Sequence, residues 1–83
     1  MAELDFTVDE KVDVTDVVCP VTFVKTKVAL EEMDEGQILQ VHINGGEPLK
    51  NVPRSVAEEG HTVLRTDDNG DGTYELYIKR GPD

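Results

Sequence analysis

The stretch Val12-Asp13-Val14-Thr15-Asp16-Val17-Val18-Cys19-Pro20, with the run it opens from Pro20 to Asp34, decides the fold. Val12 and Val14 alternate with Asp13, the period-two pattern of a strand with one covered face, and predict a strand over Val8 to Val14. Thr15 and Asp16 turn the chain, Asp16 being a residue that accepts a left-handed conformation. Pro20 then suits the first position of a helix, where its missing N–H is no loss and its fixed φ is already helical. Cys19 becomes the N-cap. Within the helix, Phe23, Thr26, Leu30 and Met33 recur at spacings of three and four, with Ala29 beside them, and this stripe is expected to face a sheet. Gly36 is read as its left-handed C-terminal cap.

Beyond Gly36, apolar Leu39, Val41 and Ile43 alternate with Gln40 and His42, predicting a strand from Ile38 to Ile43 that Asn44-Gly45-Gly46 breaks. Pro53 disfavours a helix interior, so Asn51 is read as an N-cap, Val52 to Glu59 as the second helix and Pro48 to Lys50 as a separate turn. Gly60 closes that helix. His61 to Thr66 and Thr73 to Lys79 form a hairpin through Asp67-Asp68-Asn69-Gly70-Asp71-Gly72. The order is βαβαββ. Right-handed parallel crossovers then give an α/β two-layer sandwich, a mixed four-stranded sheet with two helices packed on one face. Residues 1–7 are read as a loose lead-in to this single domain, in which Leu4 and Phe6 pack if a groove is offered.

Eighteen acidic against eight basic residues leave a net charge of −10 over 83 residues. A field of that sign repels phosphate backbones and anionic lipid surfaces, which argues against direct nucleic-acid or membrane binding. No stretch approaches the roughly 20 apolar residues of a membrane span, and no apolar run resembles a signal peptide. A single cysteine forms no internal disulfide. A reducing cytoplasm is the expected setting.

Cys19 carries the chemistry. At the N-terminal end of a helix, unpaired N–H groups and the positive end of the helix dipole favour thiolate over thiol, so its pKa is expected below the free value of about 8.5. Nearby Asp16 opposes that shift. The bland alternative is a small buried hydrophobe. Other constellations are weaker. Asp67, Asn69, Asp71 and Gly72 imitate the start of a calcium loop, but Ile78 stands where a bidentate glutamate is needed. His42 and His61 lack the companions of a zinc site and are read as a solvated strand residue and a strand entry. Gly45-Gly46 lacks the rest of a phosphate loop. No metal and no cofactor is called for.

With Lys25-Thr26-Lys27, Ala29-Leu30, Gly36, Asn51-Val52-Pro53, Gly60 and the closing hairpin, the opening stretch resembles the small sulfur-carrier family that includes TusA, SirA and YedF, over Val8 to Arg80. The family's hallmark is Cys-Pro-x-Pro. The resemblance implies a sulfurtransferase acting as a protein sulfur carrier. In that role Cys19 accepts sulfane sulfur as a persulfide from a donor protein, a cysteine desulfurase or a rhodanese-like enzyme, and passes it to an acceptor protein. Pro20 matches the motif's first proline. Thr22 stands where the second is usual, and Asp16 where a glycine is common. Unlike proline, Thr22 keeps a backbone N–H, which is expected to point at the Cys19 sulfur alongside that of Val21. Val21, Val24 and Val28 form a second apolar stripe, either a docking surface rimmed by Lys25, Lys27, Glu31 and Glu32 or a surface in which Val21 and Val28 tuck against the second helix. In the second case the charges are a solvated face with Lys27 pairing Glu31. The alternative function is a non-catalytic regulatory or assembly module with the same fold.

Overall fold

A computed structural model describes residues 6–18 and 21–82. Cys19, Pro20 and Leu4 therefore lie outside the described residues. The elements run β1 (Glu10–Asp13), α1 (Val21–Glu31), β2 (Ile38–Asn44), α2 (Glu47–Glu58), β3 (Thr62–Asp68) and β4 (Thr73–Lys79). The sheet order is β1-β2-β4-β3. β1 pairs parallel with β2, and β4 runs antiparallel between β2 and β3. The predicted mixed sheet and element order hold.

Period-two alternation decides which face is covered. Leu39, Val41 and Ile43 of β2 and Leu76 and Ile78 of β4 are buried in one cluster with Leu30 and Met33, and with Val52 and Val56 of α2. Both helices therefore cover the same face. The alternate residues Gln40, His42, Asn44 and Glu75 point to the open face. At one end of that face Phe6 tilts against Tyr77, ring centroids 5.5 Å apart.

Four local expectations are corrected. β1 is only Glu10–Asp13, shorter than the predicted Val8 to Val14. α1 stops at Glu31, so Gly36 is no helix cap: its positive φ of 87° lies in a later turn, where its N–H donates to the Arg80 carbonyl at 2.9 Å. Among the described residues only glycines have positive φ, so Asp16 turns without the left-handed conformation expected of it. α2 is one helix from Glu47, with Gly46 rather than Asn51 as N-cap, Pro48 in its first turn and Pro53 inside it. Pro53 lacks the N–H that would reach the Leu49 carbonyl, a disruption of about 3 kcal/mol in an unsupported helix. The helix continues because Val52 and Val56 are fully buried. Each such side chain contributes roughly 1.5–3 kcal/mol.

The sheet-facing stripe of α1 is Thr22, Thr26 and Leu30, continued by Met33, with Phe23 and Ala29 at its margin. Thr26 satisfies its buried hydroxyl by donating to the Thr22 carbonyl at 2.9 Å. The end of α1 is held from outside the helix. Arg80, buried, donates from Nε to the Leu30 carbonyl at 2.7 Å and from Nη1 to the Gly81 carbonyl at 3.0 Å. The Leu30 carbonyl, in the last turn of α1, also accepts the Met33 N–H at 3.1 Å, and a cation there favours the helix dipole. Gly81 is required, since a Cβ would stand 1.9 Å from the Gly60 carbonyl oxygen.

Candidate functional site

The segment from Asp13 to Val18 leads directly to Cys19 and is gripped from three sides. Val14, fully buried, donates its N–H to the His42 carbonyl at 2.9 Å, extending the β1–β2 ladder by one step. Asp13 Oδ1 accepts the Thr15 N–H at 2.8 Å and the Thr15 hydroxyl at 2.6 Å, closing a side-chain turn. Those bonds, the hydroxyl foremost, hold the Asp13 carboxyl below the usual carboxylate range. Asn44 at the end of β2 donates Nδ2 to the Thr15 carbonyl at 2.9 Å. From α1, Lys25 Nζ donates to the Asp13 carbonyl at 3.0 Å and lies 3.6 Å from Asp16 Oδ1.

The start of α1 differs from the expected geometry. The Val18 carbonyl accepts the N–H of Val21 at 2.8 Å and that of Thr22 at 3.3 Å. Val18 thus takes up two amides of the first described turn of α1, while the N-cap expectation for Cys19 falls outside the described residues. The two amides expected to face the sulfur both have a carbonyl partner, and Thr22 itself is fully buried against the sheet.

Val21, Val24 and Val28 are exposed rather than tucked against α2, Val24 by 51%, and Val18 beside them is 75% exposed. An apolar strip thus runs along the outer side of α1 from the residue before Cys19. Its lysine rim is internally neutralised. Lys25 meets Asp13 and Asp16, and Lys27 meets Glu59 of the turn after α2 at 3.2 Å instead of Glu31.

Sequence reasoning missed Asn44, because its partner Thr15 lies 29 residues away and only the parallel pairing of β1 and β2 brings them together. It also missed a polar cluster on the open face. His42 Nδ1 contacts Glu75 Oε2, while Gln40 Nε2 donates to Glu75 Oε1 at 2.7 Å and Asn69 Nδ2 to Oε2 at 2.9 Å. The Glu75 bond raises the His42 pKa against a smaller effect of burial. Burial pushes Glu75 upward, but its bonds with Gln40, Asn69 and His42 together bring it below its ordinary value. The strand predicted from His61 starts one residue later, at Thr62, and His61, just before it, accepts the Gly81 N–H on Nδ1 at 2.9 Å. Among the described residues no three His, Cys, Asp or Glu gather as a metal site, and no helix is long and apolar enough to cross a membrane. The calcium-loop look-alike is a hairpin turn, closed by the Gly70 N–H on Asp68 and the Thr73 N–H on Asp71.

This architecture and site define a small two-layer α/β domain with an anchored segment running into a lone cysteine. The family model described as sulfurtransferase TusA matches residues 10–80, and the chain belongs to that family. A candidate sulfur carrier protein of Archaeoglobus fulgidus is 43% identical over 72 residues, covering 87% of this chain and 82% of that one. Another so described, from Thermotoga maritima, is 38% identical over 74 residues, covering 89% and 94%. The crystal structure of a SirA-like protein from Desulfitobacterium hafniense shares the fold, with a TM-score of 0.77 at 21% identity over 89% of this chain and all of that one.

Proposed function

We propose that this protein is a sulfur carrier working in a reducing cytoplasm. The Cys19 thiolate attacks the terminal sulfur of a donor protein's persulfide. A new S–S bond forms on Cys19 as the donor's S–S bond breaks, and the donor cysteine leaves as thiolate. An acceptor nucleophile later takes the same terminal sulfur and returns Cys19 to thiolate. The observation that carries this reading is membership of the sulfurtransferase TusA family over residues 10–80, a span that includes Cys19. Pro20 opens the helix in this reading, Thr22, its N–H on the Val18 carbonyl, seats the start of α1 on the sheet, and the donor and acceptor proteins dock on Val21, Val24 and Val28 beside Lys25 and Lys27. The exposure of that apolar strip supports the docking part.

The test is direct loading. Incubated with a cysteine desulfurase and cysteine, with thiosulfate and a rhodanese, or with polysulfide, the protein should gain the mass of one sulfur atom. Cys19→Ser should gain none, since a hydroxyl does not ionise near neutral pH. A chain that stays unmodified with every donor, while its thiol still reacts with an alkylating agent, is instead the binding module that keeps the fold without the transfer.

A further inference from the structure

Between the outer edge of β1 and the end of α1 runs a groove of about 490 Å³, within the roughly 300–1,000 Å³ of binding clefts. Four consecutive residues, Asp9 to Val12, line it from the strand side. Side chains of a strand alternate between its two faces, so a wall made of consecutive residues follows the backbone edge of β1. That edge is open. β1 ends the sheet order β1-β2-β4-β3, and no described strand pairs with its outer side. Val14 turns its N–H to the His42 carbonyl of β2, whereas Lys25 reaches the Asp13 carbonyl from outside the sheet at 3.0 Å. By the same alternation Lys11, two residues before Asp13 and exposed, turns its N–H and carbonyl outward. The start of the strand is fixed by Asp9, which donates its N–H to the Ile38 carbonyl and accepts the Ile38 N–H on Oδ2, each at 2.9 Å.

The opposite wall is Ala29, Glu32 and Met33, which share one side of the end of α1. Met33 is buried and Ala29 half-buried, so the floor is apolar. The two rims are acidic. Glu10, which lies on the helix-covered face through its pairing with Leu39, and Glu32 are both exposed, and among the described residues neither has an ion-pair partner. An apolar floor between two carboxylates suits arginine, whose stem packs on apolar surface while its guanidinium fork meets carboxylates. A second copy of this chain fits poorly, since its own edge segment Glu10-Lys11-Val12-Asp13 would bring further carboxylates to the same rims under a net charge of −10. We infer that the β1 edge is a docking site for an extended, basic segment of a partner protein, which pairs with the Lys11 backbone and seats an arginine between Glu10 and Glu32. This surface shares no residue with the valine strip of α1 and is independent of sulfur transfer.

The probe is a capped pentapeptide, Thr-Val-Arg-Val-Thr, titrated into isotope-labelled protein while its backbone amide resonances are followed. Saturable shifts are expected at residues 9–13 and 29–33, with a dissociation constant on the order of 1 mM. At saturation the outward Lys11 N–H should exchange about tenfold more slowly, because it gains a hydrogen bond. Citrulline in place of the peptide's arginine keeps the shape and loses the charge, and should weaken binding about fivefold. Glu32→Gln, an exposed change that leaves the fold intact, should weaken the arginine peptide by about as much and narrow its advantage over the citrulline peptide. The docking site is overturned by no saturable shift up to about 10 mM peptide, by equal binding of the citrulline peptide, or by shifts confined to Val21, Val24 and Val28. Shifts around Glu32 with an unprotected Lys11 amide would reduce the groove to a side-chain pocket and overturn the strand pairing.

Discussion

At the scale of single residues, the His42 and Glu75 pair makes a pH-dependent contribution whose sign follows from its shifts. The histidine's value is raised, so its share of stability is fully present below the unfolded value of about 6.5 and is lost as pH rises through the raised one. Glu75's value is lowered, so its share is present above the ordinary carboxylate range and is lost as pH falls through the lowered one. The window is therefore mildly acidic. His42 is 38% exposed, and solvent screening reduces the pair to about 0.5 kcal/mol. In thermal unfolding the deficit of His42→Leu against the parent should be largest near pH 5–6 and shrink toward pH 9. A deficit that stays flat or grows with pH would exclude the charged pair. None of this was legible in the sequence, where His42 is one polar residue in an alternating strand. Its partner lies 33 residues on, brought opposite by the antiparallel β2–β4 register.

At the scale of elements, helix α1 shows what periodicity settles and what it leaves open. The spacing of Thr26, Leu30 and Met33 located the buried face correctly, and the remaining valines were legible as a second stripe. Whether that stripe was covered depended on the distance to α2, which no local pattern carries. Thr22 was read only for its backbone N–H, and the burial of its side chain depends on where α1 lies against the sheet, which is again beyond local pattern. The start of α2 was obscured by Pro53, because propensity weighs the missing hydrogen bond while burial of Val52 and Val56 prevails. The exposed stripe yields a prediction. Val24 is half exposed and outside the core cluster, so Val24→Asp should change stability by no more than about 1 kcal/mol. Loading from a donor protein should nevertheless slow by about tenfold, as expected when a charge is forced into an apolar contact worth one to two kcal/mol, while alkylation of Cys19 by a small reagent is unaffected. Equal loading rates would remove the valine strip from the docking surface.

For the molecule as a whole, the element order was legible because each strand is bounded by glycine or a turn cluster and each crossover is long enough for one helix. The anchors that tie distant ends together were not. Arg80 reaches the end of α1 across 50 residues, and Gly81 lets the tail pass against Gly60, contacts that exist only after the sheet has formed.

The irregular step in β3, where Val63 pairs with Ile78 and Arg65 already with Tyr77, leaves Leu64 outside the ladder. Because β3 is an outer strand of the sheet, that kink governs how one molecule meets another. A straight outer strand is a template on which a second chain can extend the sheet, and a bulge is one of the ways natural sheets spoil that template. The opposite border, β1, is protected differently, by having only four residues with Glu10, Lys11 and Asp13 exposed. Deleting Leu64 would join Val63 to Arg65 and restore regular alternation. The deletion also removes a half-exposed leucine, so any increase in self-assembly must come from geometry and not from added greasiness. We expect the shortened chain to fold, yet to form thioflavin-positive filaments sooner than the parent under agitation. Unchanged lag times would mean that the −10 charge alone keeps these molecules apart.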